Sequence, residues 1–161
     1  GGKSTIGQLG QKMFRYGHMS LRDVLRFNDN LAEALESSCS FGDIPVGHSN
    51  GCAIIARACE LSKKFEEVIL INPALEKDYK FPPHIKKITV FYCSGDVPVR
   101  AAKWLNWLVP GDFLWGEAGH CGMYDIDDRY VNICMDEHTD SHSGIFQSAK
   151  NVQWLKNQLP I

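Results

Sequence analysis

A serine with a glycine two residues before it and another two residues after it lies in the segment GHSNG, residues 47–51. A serine hydroxyl becomes a useful nucleophile only where it is exposed to a base and to a substrate carbonyl. A sharp turn from a strand into a helix exposes it, and such a turn needs glycine where side chains would collide, here at Gly47 and Gly51. The spacing therefore predicts Ser49 as a nucleophile. The N–H of Asn50, at the start of the helix, would then donate to an oxyanion.

The elements around this segment alternate between strand and helix. Short apolar runs predict buried strands over 44–46, 68–71, 88–92 and 130–135, with a further short strand over 19–25. Residues 52–61 are apolar and rich in small side chains, which is typical of a buried helix. Other helices are expected over 5–16, 28–37 (with Asn28 or Asp29 as N-cap), 98–108 and 146–159. This alternation predicts a single α/β domain over 1–161, with a mainly parallel sheet covered on both faces.

The run VGHSNGCAIIARAC, residues 46–59, resembles the nucleophile turn and following helix of α/β-hydrolases, and the order of the later elements is similar as far as the C-terminus. The resemblance implies an α/β-hydrolase fold, a catalytic chain order of Ser, Asp or Glu, then His, and acyl transfer through an acyl-enzyme. Short connections between this run and Asp96 imply little or no cap domain. Pro45 departs from the pattern because proline removes a ladder donor, and we expect it to shorten the strand before the motif.

The resemblance also places the acid and the base. The acid follows a strand after the nucleophile, and Asp96, at the end of ITVFYCSGD, has that position. The base lies between the last strand and the last helix, which favours His142. The alternatives are Glu76 and Asp78 for the acid, and His120 and then His138 for the base. His48, beside the nucleophile, is expected to pack around the turn and not to act as the base.

The glycine-rich start of the chain, GGKST at residues 1–5, ends like a phosphate-binding loop. It lacks the glycine and the strand that such a loop requires before it. In α/β-hydrolases a glycine-rich loop after an early core strand supplies a second oxyanion N–H, which the resemblance assigns to Gly2, with Gly1 or Lys3 as neighbours that could do the same. Because that core strand would otherwise be missing and leave ladder groups unpaired, we expect residues to precede Gly1 in the native protein.

Composition excludes several classes of function. The net charge is −2, and no basic stripe with interleaved aromatics favours a nucleic-acid partner. No apolar run is long enough for a membrane span, and no signal peptide is evident. Six scattered cysteines without a CxxC pair favour a reduced, cytoplasmic protein. No zinc spacing occurs, and the acidic cluster Asp125, Asp127 and Asp128 is expected to be a solvated loop, so neither metal nor cofactor is expected.

Together these features predict an esterase-like or lipase-like serine hydrolase that acts on a small acyl substrate. Ser49 would be the nucleophile, Asp96 and His142 the acid and base, and the N–H groups of Asn50 and Gly2 the oxyanion donors. Two other classes stay open: a catalytically inactive hydrolase-fold protein used for binding or assembly, and a P-loop nucleotide-binding protein.

Overall fold

The computed structural model describes residues 21–96, 116–124 and 127–159, and within these ranges its centre is a four-stranded, fully parallel sheet. The strands lie side by side in the order of the sequence: β1 (Val46–His48), β2 (Glu67–Ile71), β3 (Lys87–Tyr92) and β4 (Tyr130–Cys134). Parallel strands in sequential order require crossover connections, and all their C-terminal ends meet at one edge of the sheet. Any chemistry that follows several strands is therefore gathered at that edge.

The helices of the described ranges are α1 (Leu21–Ser38), α2 (Asn50–Leu61), the single turn α3 (Ala118–Cys121) and α4 (Ala149–Gln158), and a 3-10 turn spans Gly144–Phe146. The short strand predicted over 19–25 is wrong for 21–25, because α1 already begins at Leu21. Asn28 accordingly lies inside α1 and is not an N-cap. Leu21, Val24, Leu25, Leu31 and Leu35 share one helical spacing on both sides of Asn28, as expected of a single long helix.

The side chains of the strands alternate between two separate cores, one on each face of the sheet. Val68, Leu70, Ile88 and Val90 pack with buried side chains of α1 and α2. On the opposite face, Ile69, Ile71 and Phe91 pack with the 3-10 turn and α4, through Ile145 and Leu155. A parallel sheet buried on both faces reads as continuous apolar runs, as β2 and β3 do. The prediction of an α/β domain with a parallel sheet and helices on both faces is confirmed.

Pro45 limits the strand that leads to the motif. The strand predicted over 44–46 is displaced, because β1 begins at Val46, directly after the proline. The Pro45 carbonyl accepts a hydrogen bond from the Ile69 N–H at 3.0 Å, so the residue joins the ladder only through the group that proline retains. The strand that leads into the motif therefore begins immediately after the proline.

At the end of the chain, the predicted helix over 146–159 is shorter than expected. Phe146 belongs to the 3-10 turn, and α4 begins only after Ser148, whose hydroxyl accepts a hydrogen bond from the Asn151 N–H at 3.1 Å. This N-cap fixes the start of the helix. The helices predicted over 5–16 and 98–108 lie outside the described residues, as does Gly2. No described helix has the length and apolar character needed to cross a bilayer.

Candidate active site

Ser49 occupies the junction between β1 and α2 in a conformation that residues with a side chain rarely adopt. Its φ is +55° and its ψ is −125°. Such a backbone costs on the order of 1–3 kcal/mol and persists only where its surroundings impose it. Here the Ser49 N–H donates to the Ile71 carbonyl at 3.1 Å, and the Ser49 carbonyl accepts from the N–H groups of Cys52 and Ala74 at 3.0 and 3.3 Å. The strand, turn and helix predicted around the serine are all present.

The hydroxyl of Ser49 is not used to cap the helix that follows it. A serine in this position usually accepts a hydrogen bond from an N–H in the first turn of the helix. The Ser49 side chain makes no such bond, although it is the N-cap residue of α2. The nearby thiol is no rival as a nucleophile, because full burial raises the pKa of Cys52 to about 12 and keeps it protonated.

The two glycines of the motif differ in what they do. A Cβ at Gly47 would lie 2.7 Å from Ile55 Cδ1 and 3.0 Å from the Cys52 nitrogen, so β1 and α2 approach too closely for a side chain there. A Cβ at Gly51 would meet no described atom within 4 Å. The prediction that crowding requires glycine at both positions is therefore wrong for Gly51, which already lies within the first turn of α2.

This difference gives a stability prediction with a built-in control. We expect Gly47→Ala to lower the free energy of unfolding by about 1–3 kcal/mol, because the methyl group would lie 3.0 Å from main-chain atoms of Cys52 and Gly51 as well as against Ile55. Gly51→Ala should leave stability unchanged or raise it by up to about 1 kcal/mol, because alanine is the better helix former. Urea denaturation of both variants measures the two effects. Equal effects of the two changes on stability would contradict this difference in crowding between Gly47 and Gly51.

Asp96 and His142 form a hydrogen-bonded pair at the same edge of the sheet. Asp96 follows β3 and its side chain is fully buried, whereas the His142 side chain is 17% exposed. The Nδ1 atom of His142 lies 2.8 and 2.9 Å from the two carboxylate oxygens. An ionised carboxylate can only accept, so Nδ1 carries the proton and the neutral ring keeps its lone pair on Nε2. This is the tautomer that a general base needs.

Glycine also allows other segments to close around Asp96. A Cβ at Gly119, in α3, would lie 2.7 Å from Asp96 Oδ2 and 2.8 Å from the Asn72 carbonyl carbon. A Cβ at Gly95 would collide with the backbone of Asp140, two residues before His142. The turn before Asp96 is itself held, because Asp136 accepts from the Ser94 N–H at 2.7 Å, a bond that lowers the pKa of Asp136.

Asn72 links two segments next to the acid and was not identified as a site residue from the sequence. It follows β2 directly, is fully buried and has a φ of +44°. Its Nδ2 donates to the Gly119 carbonyl at 3.2 Å and to Cys93 Sγ at 3.3 Å, so it joins the segments before and after Asp96. The available signal was an asparagine between the strand predicted over 68–71 and Pro73.

The alternative bases have other surroundings. His120 lies in α3, where its Nδ1 atom is buried and finds no hydrogen-bond partner among the described residues. His138 stacks on Trp154, with ring centroids 4.1 Å apart. Of the alternative acids, Glu76 is half-buried and Asp78 is exposed. The pair that the structure brings together is the one favoured by the sequence, Asp96 with His142.

Asn50 begins α2, as expected for an oxyanion donor directly after the nucleophile. Its side chain makes reciprocal amide hydrogen bonds with Asn28 of α1, at 3.0 and 3.2 Å. Asn28 is only 6% exposed, so this contact lies in the packed interface between the two helices. It holds the turn from the side of α1. The second predicted donor, Gly2, lies outside the described residues.

His48 packs beside the turn, as expected, and it also makes a hydrogen bond that was not anticipated. Its Nε2 lies 2.8 Å from the main-chain carbonyl oxygen of His142. Its ring contacts the rings of His142 and Phe146, with centroids 4.7 and 5.1 Å away. The residue before the candidate nucleophile therefore touches the candidate base directly.

The described residues contain no cluster of three or more His, Cys, Asp or Glu side chains able to hold a metal ion. In the acidic loop, Asp127 is engaged by the Arg129 guanidinium at 2.9 Å, an ion pair that lowers the pKa of Asp127. The candidate reactive side chains at the carboxyl edge of the sheet are those of Ser49, Asp96 and His142.

Comparison of the chain with models of known protein families, with curated proteins and with solved structures returned no match. The functional assignment therefore depends on the geometry around Ser49, Asp96 and His142.

Proposed function

We propose that this chain is a serine hydrolase of the α/β-hydrolase type, which cleaves an acyl ester through an acyl-enzyme on Ser49. The observation that carries the proposal is the bonded pair of Asp96 and His142 at the sheet edge where Ser49 sits in its strained turn. The three residues follow β1, β3 and β4 in that order. Their chain order, Ser, Asp, His, is the one that α/β-hydrolases use.

Contacts between neighbouring residues support the closeness of the nucleophile and the base. His48 precedes Ser49 and is hydrogen-bonded to the main chain of His142 at 2.8 Å. On the other side, the Ser49 carbonyl accepts from Ala74 N–H, while Asn72, two residues earlier, is bound to the α3 turn that lies against Asp96. These links support a common location for the three groups at the carboxyl edge of the sheet, after β1, β3 and β4.

The proposed reaction gives each of the three groups one role. The neutral His142 ring accepts the Ser49 proton on Nε2 as the serine oxygen attacks the acyl carbonyl, and Asp96 stabilises the imidazolium that forms. The N–H of Asn50, with a second donor that the resemblance assigns to Gly2, stabilises the oxyanion. The tetrahedral intermediate expels the alcohol, which takes its proton from His142. Water then attacks the acyl-enzyme by the same proton transfers and releases the acid.

The backbone conformation of Ser49 also supports its role as the nucleophile. A serine that ended a strand and began a helix in ordinary geometry would use its hydroxyl on the first turn of the helix. The positive φ of Ser49 instead leaves that cap unmade, and the cost of the conformation is offset by the hydrogen bonds to Ile71, Cys52 and Ala74. Strain of this kind at a single polar residue is typical of sites where a side chain must be presented to a ligand.

A fluorophosphonate probe tests the proposal, because such probes phosphonylate activated serines. We expect one adduct per chain, mapped by mass spectrometry to the peptide that contains Ser49. Two controls are built in. Heat-denatured protein should not be labelled, and the exposed Ser38, which carries the same hydroxyl away from Asp96 and His142, should also stay unlabelled. An intact, folded protein that acquires no adduct, or one that is labelled at a different serine, would overturn the proposal and favour a hydrolase-fold protein used for binding or assembly.

A further inference from the structure

The side chain of His48 joins two parts of the candidate site that lie far apart in the sequence. Its Nε2 is 2.8 Å from the carbonyl oxygen of His142, which is 94 residues further along the chain. A carbonyl oxygen only accepts hydrogen bonds, so Nε2 of His48 must carry a proton and donate it. The nucleophile turn thereby holds the main chain of the residue that would act as the base.

The loop that carries His142 is held by several hydrogen bonds, and His48 supplies the one to the main chain of His142 itself. The loop runs from the end of β4 to the 3-10 turn Gly144–Phe146. Before His142, the Ser141 carbonyl accepts from the Thr139 hydroxyl at 3.3 Å and from Cys93 Sγ at 3.7 Å, which is a long contact. At His142 itself, the bond from His48 is a short one, and it is made to the main chain and not to the ring. The imidazole is left to Asp96.

Packing holds the His48 ring in the orientation that this bond requires. The edge of Phe146 meets the ring at an interplanar angle of 84° and a centroid distance of 5.1 Å. On the other side, the His142 ring lies 4.7 Å away at an angle of 42°. Phe146 is 43% exposed, so it forms the outer wall of this contact. A ring held between two others has little freedom to turn its Nε2 away from the carbonyl.

The surroundings of the His48 ring favour its neutral form. Burial lowers the pKa of His48, and the neighbouring His142 lowers it further, whereas the hydrogen bond to the His142 carbonyl and the Asp96 carboxylate act in the opposite direction. The neutral ring still donates through Nε2. It therefore holds the loop without placing a second positive charge beside His142 when that ring accepts the serine proton.

We propose that His48 is a positioning residue for His142. The Nε2–H of His48 fixes the main chain of His142, so that the His142 imidazole keeps its bond to Asp96 and the His142 Nε2 stays within reach of Ser49. The inference rests on the proposed hydrolase function. It gives the residue before the nucleophile a role in catalysis that needs neither contact with substrate nor transfer of a proton.

Three substitutions separate the hydrogen bond from the packing. His48→Gln retains an N–H donor near the position of Nε2 but loses the ring. His48→Phe retains a ring against Phe146 but loses the donor, and His48→Asn carries an amide too short to reach the carbonyl. We expect His48→Gln to react with the fluorophosphonate probe within about threefold of the wild-type rate. His48→Phe and His48→Asn should be slower on the order of 100-fold, because the base is displaced.

The dependence of the labelling rate on probe concentration shows whether a slower variant has a misplaced base or binds the probe more weakly. The saturating rate constant should fall in His48→Phe and His48→Asn, while the concentration for half-saturation stays unchanged. Thermal unfolding of each variant establishes that it is folded. Two donor-deficient variants are used so that the test can still be made if one of them does not fold. If His48→Phe reacts as fast as the wild type, or His48→Gln is as slow as His48→Asn, the hydrogen bond is not required and the inference is overturned.

A readout that needs no catalysis separates this inference from the proposed function. The proton on His142 Nδ1, bound to Asp96, should give a far-downfield imidazole N–H resonance in proton NMR. We expect that resonance in the wild type and in His48→Gln, and its loss through exchange in His48→Phe and His48→Asn. A wild type that shows the resonance without reacting with the probe would overturn only the hydrolase proposal. Persistence of the resonance in both donor-deficient variants would overturn the positioning role.

Discussion

Replacing Ser49 or His142 by alanine is expected to lower kcat for p-nitrophenyl acetate by about 10⁵- to 10⁶-fold, to the limit of detection above the uncatalysed reaction. Each change removes one half of a single proton-transfer step. Without Ser49 no acyl-enzyme forms, and without His142 the Nε2 lone pair, presented by the bond between Nδ1 and Asp96, is missing. The measurement is steady-state ester hydrolysis by the purified chain.

The double variant Ser49→Ala/His142→Ala provides the sharper test. Groups that act as a unit are strongly non-additive, so the double variant should be no slower than either single one. His120→Ala, the matched control among the histidines, should stay within a few-fold of the wild type. An additive double variant, or a His120→Ala variant as inactive as His142→Ala, would mean that Ser49 and His142 do not work together.

Ser49→Gly separates the loss of the hydroxyl from the strain of the turn. Like Ser49→Ala, it should be inactive. Because glycine adopts a φ of +55° readily, Ser49→Gly should also be more stable than Ser49→Ala by about 1 kcal/mol in urea denaturation. Equal stability of the two variants would mean that the backbone of Ser49 is not strained.

The features that sequence analysis predicted well are those that local patterns determine. The apolar runs that became β2 and β3 are continuous because both faces of a parallel sheet are buried, and the small side chains of α2 follow from its close approach to β1 at Gly47. Asp96 was chosen as the acid because it lies in the turn after β3, and His142 was chosen as the base because the resemblance places one between the last strand and the last helix. The structure shows that these two side chains are hydrogen-bonded to each other.

The features that were missed depend on contacts between distant segments. Asn28 is polar and sits in a helical pattern, so that a cap was the natural local interpretation; its partner Asn50 lies 22 residues away. Asn72 acts through Gly119, which is 47 residues further on. The bond from His48 reaches the main chain of His142, a group that is the same in every residue and leaves no sequence signal. Each of these contacts arises from tertiary packing, so the periodicity of the sequence does not predict it.

Gly51 shows the opposite error, in which a motif was interpreted too literally. The pattern with glycine on both sides of the serine suggested crowding on both sides. Among the described atoms, a Cβ at Gly47 would be crowded by Ile55 and by the Cys52 nitrogen, whereas a Cβ at Gly51 would meet nothing within 4 Å. A motif records residue types, whereas the reason for each type depends on which neighbour is within reach.

Asp96→Asn is expected to lower kcat by about 10⁴-fold while the protein stays folded. The change nearly preserves shape but alters what faces the imidazole. Because both carboxylate oxygens lie within 2.9 Å of His142 Nδ1, an asparagine amide puts an N–H donor within reach of that nitrogen in either orientation. Nδ1 must then accept, the ring proton moves to Nε2, and the lone pair that should take the Ser49 proton is lost.

Asp78→Asn is the matched control, since it makes the same chemical change at the exposed alternative acid after β2 and should leave kcat within twofold of the wild type. Nitrogen NMR of the histidine rings reports the tautomer directly: His142 should carry its proton on Nδ1 in the wild type and on Nε2 in Asp96→Asn. A variant that changes tautomer and keeps its activity would show that His142 is not the base. One that keeps both would show that the bond to Asp96 does not set the tautomer, and the roles of both residues would then have to be reassigned.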